Sequence, residues 1–302
     1  MRPKSDCIAC LIERTKYECD IAIREDNDKI IALRDFIAFL LEHFDEEGRS
    51  PAFFSTARER IVQRQSGTRD PHEELKKRSN EVAGALLPDA YDFYAAACDK
   101  IEALMRIAAA ANSMEYGVKG YSFDNDVFKE KFEHTLNEKL NWDADLITQA
   151  IKAGDKILYL TDNAGEVFFD AFVIKELVEQ GKEVVVSPKS GPVLNDATVE
   201  DLKEAASSVL ISNPGLWGKI NVVPSGECIG VSLEEAEDGF LDVLCDDRYL
   251  VIAKGMGNYE AISEFEAEFG LRGRLIYVLR AKCVPVASTI GVKKGELVAK
   301  FA

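Results

Sequence analysis

The chain has 302 residues, more than one small core needs and enough for two domains. With 47% apolar and 30% charged residues it has a soluble, globular composition, and no apolar run approaches the roughly 18 residues of a membrane span. The 53 acids outweigh 37 bases to give a net charge of −16, and no basic cluster stands out, which sets nucleic acid aside as a partner.

The opening segment, MRPKSDCIACLIERTKYECD, has neither a long apolar core nor a small-residue cleavage site and reads as the mature start of a cytoplasmic protein. Seven scattered cysteines argue against a secreted disulfide framework. Cys7-x-x-Cys10 is half of a zinc pattern without a second half. On a helix the two thiols share a face, so they are either small buried hydrophobes or a redox or metal pair, with Cys283 as a third member.

The first half reads as helices. Ile30, Leu33, Ile37, Leu40, Leu41 and Phe44 recur at helical spacing. A short helix over STARERIVQRQS stops at Gly67. In the next, Asp70 is the expected N-cap, Pro71 the first helical residue and Glu73 the partner in a capping box. A long Ala-rich helix is expected over YDFYAAACDKIEALMRIAAAANSMEYG, residues 91–117, and two more over 125–140 and 143–153.

The second half alternates short β-branched runs with helical patterns. Strands are predicted at 156–161, 182–188, 208–212, 249–254 and 275–280, and the tail VASTIGVKKGELVAKF as a closing hairpin turning at Lys293 to Gly295. Such alternation implies an α/β fold, a Rossmann-like, mostly parallel sheet covered on both faces, preceded by an all-helical domain. The expected division is 1–150 for the helical domain closing the cleft and 151–302 for the α/β domain.

Ligands of open parallel sheets sit outside the carboxyl ends of the strands. Three such ends carry polar residues here: Asp162-Asn163-Ala164-Gly165-Glu166, Asn195-Asp196, and Lys254-Gly255-Met256-Gly257-Asn258. Each acid or amide alone serves as a turn or helix cap. Capping does not favour Lys254 at a strand end. Two carboxylates and an amide oxygen suit Mg²⁺ or Mn²⁺, a lysine suits a phosphate, and Gly165, Gly255 and Gly257 would let backbone N–H groups approach an anion. A GxGxxG turn is absent after the first strand, which disfavours a dinucleotide.

The motifs TDNAGE, SGPVLNDAT, AKGMGNYE and RAKC, with Cys7-x-x-Cys10, DPHEELK and AAAANSMEYG in the first half, resemble the metal-dependent damage-control phosphatases. That family was long catalogued as a domain of unknown function, and the likeness is to its microbial subfamily with an N-terminal CxxC. The resemblance implies a helical region packed on a Rossmann-like domain. It implies that Asp162, Asn163 and Asp196 bind a divalent metal (Mn²⁺, Mg²⁺, Co²⁺ or Ni²⁺) and that Lys254 binds the substrate phosphate. Asp162, Asp196 and Lys254 are then the candidate catalytic residues. Asn112, Glu166, Lys254 and Asn258 are the candidate substrate contacts, and the Asp70/Lys76 region closes the site. The family pattern Asn-x-x-Asp reads Asn112-Ser113-Met114-Glu115 here, so no role is assigned to Glu115.

The expected function is metal-dependent hydrolysis of small phosphorylated metabolites such as sugar phosphates. Either water or a carboxylate attacks; the spacing Asp162-x-Ala164 lacks the second acid of a DxD phosphotransfer motif. One alternative is a protein that binds a phosphorylated ligand with a metal and does not turn it over. Another is a carboxyl methyltransferase, which fits poorly because the second strand ends on Ser187-Pro188 rather than on an acid.

Overall fold

Helix and strand alternate through the second half as expected, and they build a single seven-stranded sheet. The computed structural model describes residues 1–113, 125–209 and 214–302. In chain order the described elements are helices α1 (Ser5–Ala22), α2 (Asp26–His43), α3 (Pro51–Ser66), α4 (Glu73–Ala96), α5 (Lys100–Ala111) and α6 (Asn125–Leu136), then strand β1 (Leu140–Trp142) and helix α7 (Ala144–Ala153). There follow β2 (Lys156–Leu160), α8 (Glu166–Glu179), β3 (Glu183–Ser187), α9 (Val199–Val209), β4 (Ile220–Val222) and α10 (Asp238–Cys245). The chain closes with β5 (Tyr249–Lys254), α11 (Gly255–Ile262), β6 (Leu275–Arg280), α12 (Val284–Ile290) and β7 (Leu297–Phe301).

The strand order is β1-β7-β6-β5-β2-β3-β4, parallel throughout except for the β6–β7 pair. Alternation along the strands sorts the core into two layers. Ile157, Tyr159, Val184 and Ile252 join residues of α4, α5, α6, α8 and α9 on one face. Leu158, Leu160, Val185 and Val251 join α10, α11 and α12 on the other. Helices α1 to α3 have an apolar cluster of their own around Phe36, Phe54 and Val62, and α3 packs against α11. No helix among the described residues is long and apolar enough to cross a membrane.

Several expectations are corrected. The predicted strand at 208–212 begins inside helix α9, and residues 210–213 lie outside the described residues; the fourth strand is the short edge strand β4. The closing hairpin is instead helix α12 followed by β7, because β7 pairs antiparallel with β6. Strand β1 was not anticipated, since three residues carry too little pattern. Helix α4 runs through Pro88, which an interior helix position disfavours by about 3 kcal/mol. Burial of Val82, Ala83, Leu86, Leu87 and Ala90 along one face holds it together. The long Ala-rich helix is broken before Lys100, where the Asp99 carboxylate caps the N–H groups of Ile101 and Glu102 at 3.0 Å. The N-cap of α4 is His72; Asp70 instead accepts the His72 N–H, and Glu73 pairs with Lys77 rather than closing a capping box. On α2 the buried face is Ala32, Phe36 and Leu40, while Ile30 and Leu41 of the expected stripe are 61% and 83% exposed.

Candidate active site

Strand β2 lies between β3 and β5. The chain leaves β2 on one side, through β3 and β4, and returns on the other at β5. The carboxyl ends of β2 and β5 therefore flank a topological switch point, the usual ligand crevice of an open α/β sheet. Asp162 stands just past β2. Gly255, with φ 78°, opens α11 just past β5. A Cβ on Gly255 would lie 1.9 Å from Asp162 Oδ2, so glycine here makes room for the carboxylate rather than for an anion.

The DNAGE and ND segments are stitched side by side. Ala197 N–H donates to the Asp162 carbonyl and Ala164 N–H to the Asn195 carbonyl, each at 2.8 Å, with a bridge between Asn163 and Asp196. Leu194, just before, is the one non-glycine residue with positive φ among the described residues, at 48°. Gly165, at φ 78°, turns the chain into α8, but its N–H goes to Asn80 Oδ1 at 2.7 Å and not to a ligand.

Three carboxylates converge. Asn112, at the end of α5, donates to Asp162 Oδ2 at 2.8 Å and to the Glu166 oxygens at 2.9 and 3.0 Å, while its Oδ1 takes the Arg280 N–H at 3.0 Å. Asn163 Nδ2 reaches Asp162 Oδ2 at 2.8 Å and Glu166 Oε1 at 2.5 Å. Burial drives the Asp162 carboxyl well above the ordinary range, and the charges of Glu166 and Asp196 add to it. Burial likewise pushes Asp196 up to about 6, although the Lys189 ammonium, 3.8 Å away, opposes the shift.

A cleft of about 510 Å³ opens at these carboxylates, lined there by Asn112, Asp162, Asn163, Asn195 and Asp196. Glu166, Lys254 and Asn258 do not line it. Lys254 is fully buried, with Nζ 2.7 Å from Asp170 and 3.4 Å from Glu166. Burial would push its ammonium down, but Asp170 and Glu166 hold it above the usual lysine range. Lys254 thus braces Glu166 from behind, and the expected phosphate contact is not what the structure arranges. Asn258 donates to the carbonyls of Thr161 at 3.0 Å and Lys254 at 2.7 Å, tying the two strand ends together. Glu115 lies outside the described residues.

The cleft's opposite wall comes from α1, α3 and the start of α4, with Arg58 and His72 among its residues; Lys282 also lines the cleft. Sequence reading missed Lys282 as a candidate, although RAKC was among the motifs; its charge reaches Asp162. Lys76 is held by Asp70 at 2.5 Å, and its charge reaches Asp196. Cys7, Cys10 and Cys283 all line the cleft as free thiols. Cys7 is buried, as a small hydrophobe would be, whereas Cys10 is exposed. Burial raises Cys7, and raises Cys283 to about 11, which disfavours a reactive thiolate at either position.

Among the described residues no group of three His, Cys, Asp or Glu side chains is spaced to hold a metal. The candidate set is different in kind, two carboxylates and an amide. It fits a hard divalent cation, because these are oxygen donors and the local charges already disfavour two ionised carboxylates.

Comparison with known proteins identifies the family. The model of the damage-control phosphatase ARMT1-like domain matches residues 4–298. A damage-control phosphatase of Archaeoglobus fulgidus is 31% identical over 295 residues, 97% of each chain, and one of Pyrococcus horikoshii is 29% identical over 99% of this chain and 97% of that one. The crystal structure of a DUF89 family protein from Pyrococcus horikoshii superposes with a TM-score of 0.81 at 29% identity, covering 99% of this chain and 98% of that one. With the family match and the structural match both running nearly end to end, the chain belongs to the damage-control phosphatase family with the ARMT1-like domain.

Proposed function

We propose that the protein is a metal-dependent phosphomonoester hydrolase acting on small phosphorylated metabolites such as sugar phosphates. The observation that carries this reading is the pair of half-buried Asp162 and buried Asp196, brought together at the switch point by the bridge between their segments and lining a cleft of about 510 Å³. Asp162, Asn163 and Asp196 would hold the ion, and Mn²⁺, Mg²⁺, Co²⁺ and Ni²⁺ all accept such donors. A dication bound there supplies charge neutralisation to phosphoryl oxygens. The chain's own residues do the rest. Asn112 and Asn163 orient Asp162 and Glu166 through the hydrogen bonds described above. Lys282 supplies the cleft-side cation for the substrate phosphate. Lys254 offsets the charge of Glu166 and Asp170, and Asn258 keeps β2 and β5 in register at their ends. Helices α1 and α3 and the start of α4 close the cleft. Seven free thiols support a reducing, cytoplasmic location.

The test is phosphate release from p-nitrophenyl phosphate and a sugar-phosphate panel, on chelator-stripped protein with each divalent metal restored, beside Asp162→Ala and Asp196→Ala. The expected result is turnover that needs metal and vanishes in both variants. Binding of metal and phosphate without any turnover would instead identify a non-catalytic phospho-ligand protein.

A further inference from the structure

His72 is the least explained residue of the cleft. It lines the cavity yet is only 4% exposed, and neither ring nitrogen has a partner within the protein. Its neighbour Glu59 is 1% exposed; Oε1 accepts from Gln63 at 3.1 Å, but Oε2 is equally orphaned. The two orphans face each other, His72 Nε2 standing 3.9 Å from Glu59 Oε2, too far for a hydrogen bond. Buried polar groups left bare are costly and rare, so an orphaned imidazole in the cleft wall, backed by an orphaned carboxylate oxygen outside the lining, calls for an occupant.

Helix geometry says where this pair sits. His72, Lys76 and Asn80 are spaced four residues apart and share one face of the N-terminal end of α4. Asn80 is pinned to the Gly165 N–H at 2.7 Å, directly behind the metal loop. Lys76 acts on Asp196. His72 is one more turn away, about 6 Å further along the helix. His72, Asp162 and Asp196 all line one cleft, so a ligand whose phosphate lies at the two aspartates has room to extend its other end toward His72.

The chemistry selects what that end is. A neutral imidazole offers one donor and one acceptor, as a hydroxyl does; a phosphate offers acceptors only. Burial holds His72 neutral, pushing it down to about 4. The same wall presents Ser55, Tyr17, Arg14 and the Glu18–Arg58 pair, so polar groups surround the neutral imidazole.

We propose that His72, with Glu59 beside it, recognises a hydroxyl group of the substrate, so that the protein selects polyhydroxylated phosphate esters over simple ones. The proposal rests on the phosphatase reading for the place of the phosphate, but its readout is selectivity and not turnover.

The experiment is calorimetric titration of the Mn²⁺-loaded protein with inorganic phosphate and with a panel of pentose and hexose monophosphates, followed by kcat/KM for the best-bound sugar phosphate and for phenyl phosphate. His72→Phe should weaken the sugar phosphate at least 10-fold and leave inorganic phosphate within 3-fold. His72→Gln, which keeps a donor and an acceptor, should recover most of the loss, and Glu59→Gln should move selectivity in the same direction as His72→Phe. If His72→Phe does not fold, His72→Gln and Glu59→Gln carry the comparison. Equal losses for both ligands, unchanged selectivity in all variants, or a wild type that binds no sugar phosphate better than inorganic phosphate would each overturn the proposal. Selective binding without turnover would retain it while removing the hydrolase; turnover without selectivity would do the reverse.

Discussion

Replacing Gly255 by alanine puts a methyl group where Asp162 already stands. The added Cβ would lie 1.9 Å from Oδ2 and 2.1 Å from Cγ of Asp162. At φ 78° the residue is also in the left-handed region, which costs a non-glycine residue about 1–2 kcal/mol. Forcing extra volume into a packed site adds about 1–3 kcal/mol. The sum is roughly 2–5 kcal/mol, and with an unfolding entropy of about 2.1 cal/mol/K per residue it lowers Tm by roughly 3–8 °C. The overlap can be relieved only by moving the Asp162 carboxylate, which breaks its hydrogen bonds to Asn112 and Asn163. Mn²⁺ affinity should fall with stability. Thermal denaturation in chelator and calorimetric Mn²⁺ titration measure the two effects. A double-mutant cycle isolates the cause: in an Asp162→Ala background, Gly255→Ala should cost only the backbone strain, about 1–2 kcal/mol. Additive costs, or a Gly255→Ala protein that binds Mn²⁺ like wild type, would refute the reasoning.

Mn²⁺ at 100 times its dissociation constant should stabilise the wild type by about 2.7 kcal/mol, and Asp162→Ala or Asp196→Ala should abolish that gain in a denaturant titration. Arg58→Ala strands Glu18, which is 2% exposed and bound to Arg58 at 2.7 and 2.9 Å, and should cost about 3–5 kcal/mol. Arg60→Ala removes a surface pair with Glu235 and should cost no more than about 1 kcal/mol; equal losses in the two variants would contradict the burial argument. Burial holds His72 down to about 4, so between pH 6.5 and 4 the unfolded chain takes up a proton that the native site refuses. Stability therefore falls as pH drops through that window, by on the order of 3 kcal/mol, and His72→Phe should remove this component. Parallel urea-denaturation profiles for wild type and variant would count against it. Lys282→Ala should raise KM for any phosphate ester at least 10-fold with a smaller change in Mn²⁺ affinity; an unchanged KM would take Lys282 out of the phosphate site.

The metal candidates were legible because the signal was local. An acid and an amide directly after an apolar, β-branched run place two oxygen donors at a strand end, wherever the rest of the chain goes. Lys254 looked equivalent, since a lysine at a strand end reads alike whether it faces a cleft or a buried acid. The clue was Asp170, one turn into the apolar segment EVFFDAFVIKEL, an acid at a position that needs a buried partner. Lys282 and His72 lie within the quoted motifs RAKC and DPHEELK, but no local pattern gives either a role. Their surroundings come from residues far away along the chain.

By itself the sequence determined the α/β class, the three polar strand ends and most helices, because hydrophobic period and turn chemistry are properties of neighbouring residues. Tertiary structure alone decided that β7 would run against β6, that α4 would continue through Pro88, and that Lys254 would lie behind the carboxylates while Lys282 lies before them. Those outcomes depend on which faces meet. Burial of a face, and the pairing of charges across it, is set by contacts between segments that no local pattern encodes.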